Sequence, residues 1–557
     1  MVKPYDARYG PLRIRHSPRF RGQDVETDLG GGRVGEATVV TGARLPTCPP
    51  NRLFSPMLLQ LVAGALLWSA PPADTVLLRV LTINDFHGAL EPRQYPWSEG
   101  RPIGGIAALK SMMDSVAADC RCPGLRLDAG DQLQGTLGSN LVYGRSAVEA
   151  MNLLGLTAAA VGNHELDWGV DSLKARLRQA SYPWLIANVF DSVTGKRPDW
   201  ARPYALVAAG PYRVAVVGYV TAATKTIVLD QHVRGLHFRG GRAALADVLA
   251  EVKGTKPDFT VLVAHEGARC DSVCTGQIVD LAQEFQPGDF DLVVAGHTHT
   301  LINTTVRGVP IVSARANGTA IGIADLVRDS SGSRSWRTRV ETVYADRGRP
   351  DSAAVALVER YRPLVERLAN TIVVRLGDSL LNGRGEYPLG NLIADAQRQA
   401  AQADFALMNN GGIRRSLLPG PLSYSDLFEL HPFSNVVVRV TVTGNQLAEV
   451  LEHGVAGGVP DVHLSGLKVR YDPRRPSGSR VIEIRRLDGT RVDPRRRYVL
   501  ALSDFLAGGG GGFAMLRGMP QRSTGKTDLE ALIAWVKRLP QPIRAPAGRR
   551  WIAVTAP

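Results

Sequence analysis

Short apolar runs alternate with amphipathic patterns from Thr75 to about Thr342. The apolar runs predict buried strands, and patterns with a period near 3.6 residues predict helices. The predicted strands are Val76–Ile83, Leu125–Leu127, Ala158–Val161, Val214–Val220, Phe259–Val263 and Leu292–Ala295. The predicted helices are Ile106–Ala117, Ser146–Leu154, Ser172–Ala180, Ala243–Val252 and Ile278–Phe285. Strands that alternate with helices favour a layered α/β domain whose helices cover the faces of a sheet.

A second unit follows a long helical pattern. Residues Asp351–Asn370 are rich in Arg and Glu between apolar positions and predict a connecting helix. From Thr371 the α/β pattern resumes and runs nearly to the C-terminus. We therefore predict a first domain over residues 75–345, a linker helix over 346–370 and a second α/β domain over 371–555. The length of 557 residues fits two or three domains of ordinary size.

The first 73 residues lack this alternation. Residues 1–56 are rich in Arg, Gly and Pro, and we interpret them as disordered or as an upstream extension of a reading frame that starts at Met57. The apolar run Met57–Ala70 is too short to span a bilayer, which takes about 20 residues, and its length is typical of a signal peptide. We predict a signal segment over 57–73 and an exported protein that is periplasmic, secreted or at the cell surface, with no stable membrane span. A buried or membrane-associated helix in a chain that starts at Met1 is the alternative.

The five cysteines agree with export. Removal of the predicted extension removes Cys48 and leaves four, an even number, as expected where thiols are oxidised. Cys270 and Cys274 can close a small loop, whereas the single residue between Cys120 and Cys122 is an awkward spacing for a mutual bridge. The pairing stays open. A zinc site is the alternative, although the two-residue spacing of zinc knuckles is absent.

Composition and charge narrow the class of protein. Hydrophobic residues make up 44% of the chain and charged residues 21%, and the mean hydropathy is near zero, which excludes a disordered chain and a multi-span membrane protein. The formal net charge is +14, and residues 470–557 carry 18 Lys and Arg against 7 Asp and Glu. Such a basic surface can bind phosphate, line a membrane or be solvated. Because its arginines lie outside the blocks described next, we expect a solvated surface and no nucleic-acid partner.

Polar blocks follow five of the predicted strands. They are Asn84–Gly88, Asp128–Asp131, Gly162–Asp167, Ala264–Gly267 and Gly296–His299. Because ligand sites in open α/β sheets form outside the carboxyl ends of strands, we expect the five blocks to converge on one crevice. Each block alone is more often a paired surface or core group, so it is their joint occurrence that predicts a site. Asp, Asn and His without thiolate suit zinc, manganese, iron or cobalt.

These blocks resemble the sequence pattern of calcineurin-like metallophosphoesterases, and Asn84–Gly88 and Asn163–Asp167 resemble its 5′-nucleotidase branch in particular. The resemblance extends from about Thr75 to the C-terminus. It implies a first domain with a β-sandwich flanked by helices, in four layers α/β/β/α, and a second α/β domain that binds substrate. It also implies two divalent metal ions. One would be held by Asp85, His87 and His299, the other by Asn163, His265 and His297, with Asp131 bridging them.

The same resemblance assigns His164 to the substrate phosphate rather than to a metal, with Asp167 as its orienting partner. Two divalent ions roughly 3.5–4 Å apart supply an activated water and neutralise phosphoryl oxygens. His164 would stabilise the developing charge or protonate the leaving alkoxide. The predicted reaction is therefore the hydrolysis of a phosphate ester or anhydride by metal-activated water, without a protein nucleophile.

Blocks of the second domain resemble the substrate-binding domain of 5′-nucleotidases. They are Leu389–Asp395, Met408–Arg414, His431–Asn435 and Gly508–Phe513. The resemblance implies that Phe433 and Phe513 sandwich a nucleobase, and stacking on aromatic side chains contributes roughly 1–3 kcal/mol per base.

Polar contacts to the substrate are implied in the same way. Asn409 and Arg414 would contact ribose and phosphate, and Arg414 suits a fork-like grip on phosphate. Asn410 stands where the family has a glycine. A second family arginine aligns with Gly383, so the neighbouring Arg384 is the candidate for that contact.

The leading interpretation is a 5′-nucleotidase that hydrolyses nucleoside 5′-monophosphates to nucleoside and phosphate. A nucleotide-sugar or nucleoside polyphosphate hydrolase, or a 2′,3′-cyclic nucleotide phosphodiesterase, could use the same residues. A thiosulfate-ester hydrolase shares the architecture, but nothing in the sequence indicates a protein-bound substrate. An inactive nucleotide-binding surface protein is the non-enzyme alternative, and the intact ligand set argues against it. The metal, the preferred nucleotide and the oligomeric state stay open.

Overall fold

The computed structural model describes residues 74–554. The predicted extension over 1–56 and the predicted signal segment over 57–73 lie outside the described residues. Within residues 74–554, no helix has both the length and the apolar character needed to cross a bilayer.

The first domain is built from sixteen strands and seven helices within the described range. Its strands are β1 (Thr75–Ile83), β2 (Gly124–Asp128), β3 (Ala158–Ala160), β4 (Trp184–Leu185), β5 (Val189–Asp191), β6 (Tyr204–Ala209), β7 (Tyr212–Val220), β8 (Leu236–Phe238), β9 (Phe259–His265), β10 (Arg269–Cys270), β11 (Cys274–Thr275), β12 (Leu292–Ala295), β13 (Leu301–Val306), β14 (Val309–Ala314), β15 (Ala320–Arg328) and β16 (Arg334–Thr342). Its helices are α1 (Ile106–Ala118), α2 (Leu137–Asn140), α3 (Arg145–Leu154), α4 (Gly169–Gln179), α5 (Thr224–Ile227), α6 (Ala246–Gly254) and α7 (Gln277–Gln283).

Two six-stranded sheets form the centre of this domain. Their strand orders are β16-β15-β1-β2-β3-β4 and β13-β14-β12-β9-β7-β6. The apolar faces of the two sheets share one cluster, in which Val80 and Leu127 of the first sheet lie with Val261 and Val294 of the second. Helices α1, α3 and α4 cover the outer face of the first sheet, and α6 and α7 cover that of the second. This is the expected four-layer α/β/β/α arrangement, and the predicted fold class is confirmed.

The predicted elements of the first domain agree with the structure to within a few residues. The one predicted helix that differs in kind is Ala243–Val252, where a 3₁₀ turn over Arg242–Leu245 precedes α6. Strands β4, β5, β6, β8, β10, β11 and β13 to β16 were not predicted. Strand β16 exposes alternate residues to solvent, so it lacks the continuous apolar run of a strand buried on both faces.

The second domain is a smaller α/β unit. Its strands are β17 (Ile372–Leu376), β18 (Phe405–Asn409), β19 (Gly420–Ser423), β20 (Val436–Thr443), β21 (Val462–Ser465), β22 (Leu467–Tyr471), β23 (Val481–Arg486), β24 (Arg497–Ser503), β25 (Gln521–Thr527) and β26 (Trp551–Ala553). Helix α8 (Ser352–Ala369) precedes it, and its own helices are α9 (Pro388–Ala401), α10 (Tyr424–Leu430), α11 (Gly444–Gly454), α12 (Asp504–Ala507) and α13 (Asp528–Val536). A five-stranded sheet in the order β21-β18-β24-β20-β25 is its centre.

Helix α8 connects the two cores. Asp351 caps its first turn, because the side chain accepts a hydrogen bond from the Ala354 amide at 2.9 Å. Leu357, in the first half of the helix, packs in the core beneath the first sheet, whereas Val365, in the second half, packs against the core of the second domain. The helix thus contributes to both cores. The predicted domain limits near residues 345 and 370 stay predictions.

Two disulfides are present in the described part of the chain. Cys270 pairs with Cys274, and Cys120 pairs with Cys122. The expectation that the spacing of Cys120 and Cys122 is awkward for a mutual bridge is therefore wrong. Their Cα atoms lie 5.1 Å apart, within the usual range for a disulfide, because the chain bends between them. These pairings leave no thiolate of the four for the alternative zinc site.

Candidate active site

Seven metal-type donors lie at the carboxyl ends of five strands. Asp85 and His87 follow β1, Asp131 follows β2, Asn163 follows β3, His265 ends β9, and His297 and His299 follow β12. Strands β1, β2 and β3 are parallel neighbours, and so are β9 and β12. Their carboxyl ends therefore meet at one edge of the sandwich, as the sequence predicted.

The backbone at these positions is unusual. Five of the seven donors have a positive φ, between 51° and 71°: Asp85, His87, Asp131, His297 and His299. Such conformations cost non-glycine residues of order 1–3 kcal/mol each and persist only where the surrounding structure enforces them. Gly162 is required nearby, because a Cβ atom there would lie 2.2 Å from Asp131 Oδ1. The strain is concentrated where the side chains must converge.

Asp85, His87 and His299 form the first group. His299 Nε2 lies 3.4 Å from Asp85 Oδ1 and 2.9 Å from His87 Nε2. His87 Nδ1 donates a hydrogen bond to the Gln134 carbonyl at 2.6 Å, which leaves the Nε2 lone pair of neutral His87 directed at the group. Three donor atoms thus face one point.

Asp131, His265 and His297 form the second group, with Asn163 beside them. His265 Nε2 lies 3.1 Å from Asp131 Oδ2, 3.1 Å from Asn163 Oδ1 and 3.2 Å from His297 Nδ1. Asp131 Oδ2 is also 3.9 Å from His87 Nε2, so this carboxylate lies between the two groups.

The charge states of these side chains suit cation binding. Burial raises the pKa of Asp85, but His299 outweighs burial and holds it at about 2, and His265 likewise keeps the pKa of Asp131 well below its ordinary value. Burial lowers the pKa of His297 to about 3. Burial also lowers the pKa of His265, but Asp131 outweighs it and raises the value to about 10, so His265 must lose a proton when a cation binds. The donors fit two divalent metal ions.

His164 lies beside these groups without belonging to them. Its Nδ1 is hydrogen-bonded to Asp167 Oδ2 at 2.7 Å, and its Nε2 lies 3.8 Å from Asp131 Oδ2. Burial lowers the pKa of His164, but Asp167 and Asp131 outweigh burial and raise it above its ordinary value. The Asp167 contact fixes the ring and leaves Nε2 directed toward the donors.

Glu165 is a structural residue that the sequence did not assign. Its fully buried carboxylate accepts hydrogen bonds from the backbone amides of Gly162, Asp131, Gln132 and Leu133, at 2.6 to 3.2 Å. It therefore joins the loop after β2 to the loop after β3. The only sign of this role in the sequence was the position of Glu165 within the block Gly162–Asp167. Its hydrogen-bond partners are backbone amides, which no residue type in the sequence reveals.

Two residues of the second domain reach the donors of the first. Arg414 Nη2 lies 3.4 Å from His299 Nε2, and Arg414 Nη1 donates to the Gly411 carbonyl at 3.3 Å. The Phe433 ring is stacked on His164, with centroids 5.6 Å apart and an interplanar angle of 27°. The Arg414 guanidinium carbon is 5.6 Å from the centre of the Phe433 ring. Both residues therefore lie beside the donor groups.

The other predicted substrate-binding residues are Phe513, Asn409 and Arg384. Phe513 is only 3% exposed, within the core of the second domain, and its ring meets His453 edge-on at 4.4 Å. A ring in this position has no free face for a base, which corrects the expectation for Phe513. Asn409 ends β18 and is half-buried, and Arg384 is exposed in the segment before α9.

Asn410, which replaces a family glycine, has a local role. Its amide nitrogen donates to Asp461 Oδ1 and to the Gly385 carbonyl, both at 3.2 Å, and its Oδ1 accepts from His463 Nε2 at 2.6 Å. The substitution therefore ties the turn after β18 to β21, where His463 is fully buried.

Comparison with known proteins agrees with this geometry. The family model of the calcineurin-like phosphoesterases matches residues 78–301, and that of the 5′-nucleotidase C-terminal domain matches residues 370–518. The chain is 29% identical to the endonuclease YhcR of Bacillus subtilis over 85% of its own length but spans only 40% of that protein. It is 28% identical to a 5′-nucleotidase of Vibrio cholerae, with 84% of this chain and 91% of that protein covered. Among solved structures, the 5′-nucleotidase precursor from Thermus thermophilus superposes with a TM-score of 0.78 at 27% identity, covering 86% of this chain and all of the other.

Proposed function

We propose that this chain, as a member of the 5′-nucleotidase family with a calcineurin-like metallophosphoesterase domain followed by a C-terminal 5′-nucleotidase domain, hydrolyses nucleoside 5′-monophosphates to nucleoside and phosphate. Membership makes it a metal-dependent phosphoric ester hydrolase. The finer assignment to mononucleotides rests on the second domain.

One observation carries the proposal. Arg414 and Phe433, both from the second domain, lie at the donor groups of the first. The Arg414 guanidinium contacts the Gly411 carbonyl and the His299 imidazole and is not paired with a carboxylate of the described residues. Its positive charge is therefore available to an anionic ligand. An aromatic ring beside it provides a face for a planar group. A phosphate next to a planar base is the chemistry of a mononucleotide.

The residues at and around the donors would have separate roles in metal binding, phosphate binding and catalysis. Two divalent ions bound there, of which zinc, manganese, cobalt and iron suit this donor set, would supply Lewis acidity and an activated water. Asp85, His87 and His299 would hold one, and Asn163, His265 and His297 the other, with Asp131 shared. Arg414 would grip the phosphate, and His164, oriented by Asp167, would stabilise charge or donate a proton at the leaving oxygen.

The base would lie between Phe433 and Phe505, which takes the place expected for Phe513. Phe505 is half-buried, and Gly510 leaves room for its ring, since a Cβ there would lie 2.4 Å from it. Strands β20 and β24 are antiparallel, with Val437 opposite Ser503. Phe433 precedes the start of β20 and Phe505 follows the end of β24, so both rings lie beyond the same end of this strand pair.

Alanine at either sandwich position is expected to raise the KM for AMP about tenfold, because each stacking face contributes roughly 1–3 kcal/mol. The KM for a small aryl phosphate is expected to stay within about twofold. Phe513→Ala is the matched control, since loss of a buried ring costs about 3–5 kcal/mol of folding free energy instead. Steady-state kinetics and thermal unfolding separate the two effects. If Phe433→Ala and Phe505→Ala raised the KM equally for AMP and for the aryl phosphate, that result would contradict the proposed stacking of the base between these two rings.

We also place the protein in an oxidising compartment after export. The two disulfides support this, since such bonds persist outside the reducing cytosol. The N-terminal sequence of the mature protein is the test, with cleavage after residues 57–73 expected and an intact Met1 contradicting it.

A substrate panel tests the proposed function. AMP, a 2′,3′-cyclic nucleotide, a nucleotide sugar, ATP and single-stranded DNA are compared at equal metal loading, and AMP is expected to show the highest kcat/KM. A higher value for the cyclic nucleotide, the sugar or ATP would select one of the alternative hydrolases. A higher value for DNA would overturn the mononucleotide assignment and favour a nuclease.

A further inference from the structure

Glu429 is a buried carboxylate that stands between two arginines from different domains. It lies near the end of α10 and is only 8% exposed. Its Oε1 is 2.6 Å from Arg93 Nη2, which belongs to the segment between β1 and α1 of the first domain. Its Oε2 is 2.6 Å from Arg415 Nη1 in the second domain, and Asp426 Oδ1 lies 3.1 Å from the same nitrogen. The two arginines and the two carboxylates thus form one cluster of ion pairs.

These contacts adjoin the residue that faces the donor groups. Arg415 directly follows Arg414, so the ion pairs of Arg415 fix the chain on one side of it. The Arg414 amide donates to the Leu430 carbonyl at 3.1 Å, and Leu430 directly follows Glu429. Arg414 is therefore attached to the end of α10 through its own backbone and through its neighbour.

The same end of α10 is attached to the first domain a second time. The Pro432 carbonyl accepts hydrogen bonds from Gln134 Nε2 at 3.1 Å and from Asn140 Nδ2 at 3.0 Å. Gln134 also accepts the His87 hydrogen bond through its carbonyl. The chain from Glu429 to Pro432 is thus tied to the first domain at both of its ends, immediately before Phe433.

From this geometry we infer that Glu429 is a positioning residue: by pairing with Arg93 and Arg415 it holds Arg414 over the donor groups and fixes the second domain in the arrangement that binds phosphate. The inference rests on the proposed role of Arg414 in phosphate binding. Glu429 itself contacts Arg93 and Arg415 rather than the donors. Removal of its charge leaves two partly buried guanidinium groups with one carboxylate, so the loop carrying Arg414 is expected to lose its fixed position.

A double-mutant cycle separates positioning from a merely structural role. Glu429→Gln is compared with the unmodified chain, and the same change is repeated in an Arg414→Ala background. In the unmodified chain the KM for AMP is expected to rise about tenfold, with kcat changed less than about twofold. In the Arg414→Ala background the further rise is expected to be less than about twofold. Asp378→Asn, which breaks an ion pair with Arg544 in the second domain, is the matched control and is expected to leave both constants unchanged.

The outcomes are distinct. An unchanged KM in Glu429→Gln, or an equal rise with and without Arg414, overturns the inference while leaving the proposed function intact. Failure of the unmodified, metal-loaded chain to hydrolyse AMP overturns the proposed function instead. Should Glu429→Gln fail to fold, as thermal unfolding would show, Arg93→Gln removes the first-domain partner and is expected to give the same Arg414-dependent rise. The absence of that rise would count against the inference equally.

Discussion

His164→Ala is expected to lower kcat for AMP about 10²–10⁴-fold, the usual contribution of a positioned acid or base. The imidazole is oriented by Asp167 at 2.7 Å, and its Nε2 faces the shared carboxylate Asp131 at 3.8 Å. Burial lowers its pKa, but these two carboxylates outweigh burial and raise it, which favours a proton on the ring that would be available to a leaving oxygen. Alanine removes that proton without removing a donor of either group. Metal content and the KM for AMP are therefore expected to change little.

Two further variants sharpen this test. Asp167→Asn keeps the ring but weakens its orientation, so a smaller loss in kcat is expected. His237→Ala removes an exposed histidine of β8 and is expected to behave as the unmodified chain. Unchanged turnover in His164→Ala would remove this residue from the mechanism, and loss of metal in that variant would assign it to the donor set instead.

Asp131→Asn is expected to abolish turnover, with a loss above about 10³-fold, because both metal sites lose their shared carboxylate. Asp131 Oδ2 is 3.1 Å from His265 Nε2 and 3.9 Å from His87 Nε2, so it faces one histidine from each group. The amide nitrogen that asparagine brings would face donors that need a cation. Metal content after dialysis, measured by elemental analysis, is expected to fall together with kcat/KM.

The control for this variant is Asp171→Asn, which changes a fully exposed carboxylate on α4. It is expected to keep both metal and activity. A sample of Asp131→Asn that retained two metal ions and ordinary kcat/KM would show that Asp131 does not bridge them.

The centre of the site was predictable because its residues follow buried strands. Runs such as Phe259–Val263 are buried on both faces, and a polar block at the end of such a run marks the edge of a parallel sheet. The order of the polar blocks along the chain was then enough to predict that Asp85, Asp131 and His265 lie at one site. The structure places these three side chains together.

Glu165 and Glu429, which act through backbone contacts or across domains, were not predictable. Glu165 binds four amides, and Glu429 binds arginines far apart in sequence, and neither relation follows a local period. The expectation that Phe513 binds a base failed for a related reason. Phe505 and Phe513 flank the same glycine run, and only the packed structure shows that Phe513 belongs to the core. The Cys120–Cys122 bridge likewise depends on a bend that spacing alone does not reveal.

We propose above all that this chain hydrolyses nucleotides with two divalent metal ions held by the seven donors. Phosphate release from AMP, measured on the metal-stripped protein before and after stepwise addition of Mn²⁺, tests it most directly. We predict no release from the stripped protein and recovery that saturates at two ions per chain. Continued hydrolysis of AMP by protein shown to be free of metal, or no hydrolysis after full reloading with manganese, zinc, cobalt and iron in turn, would contradict the account.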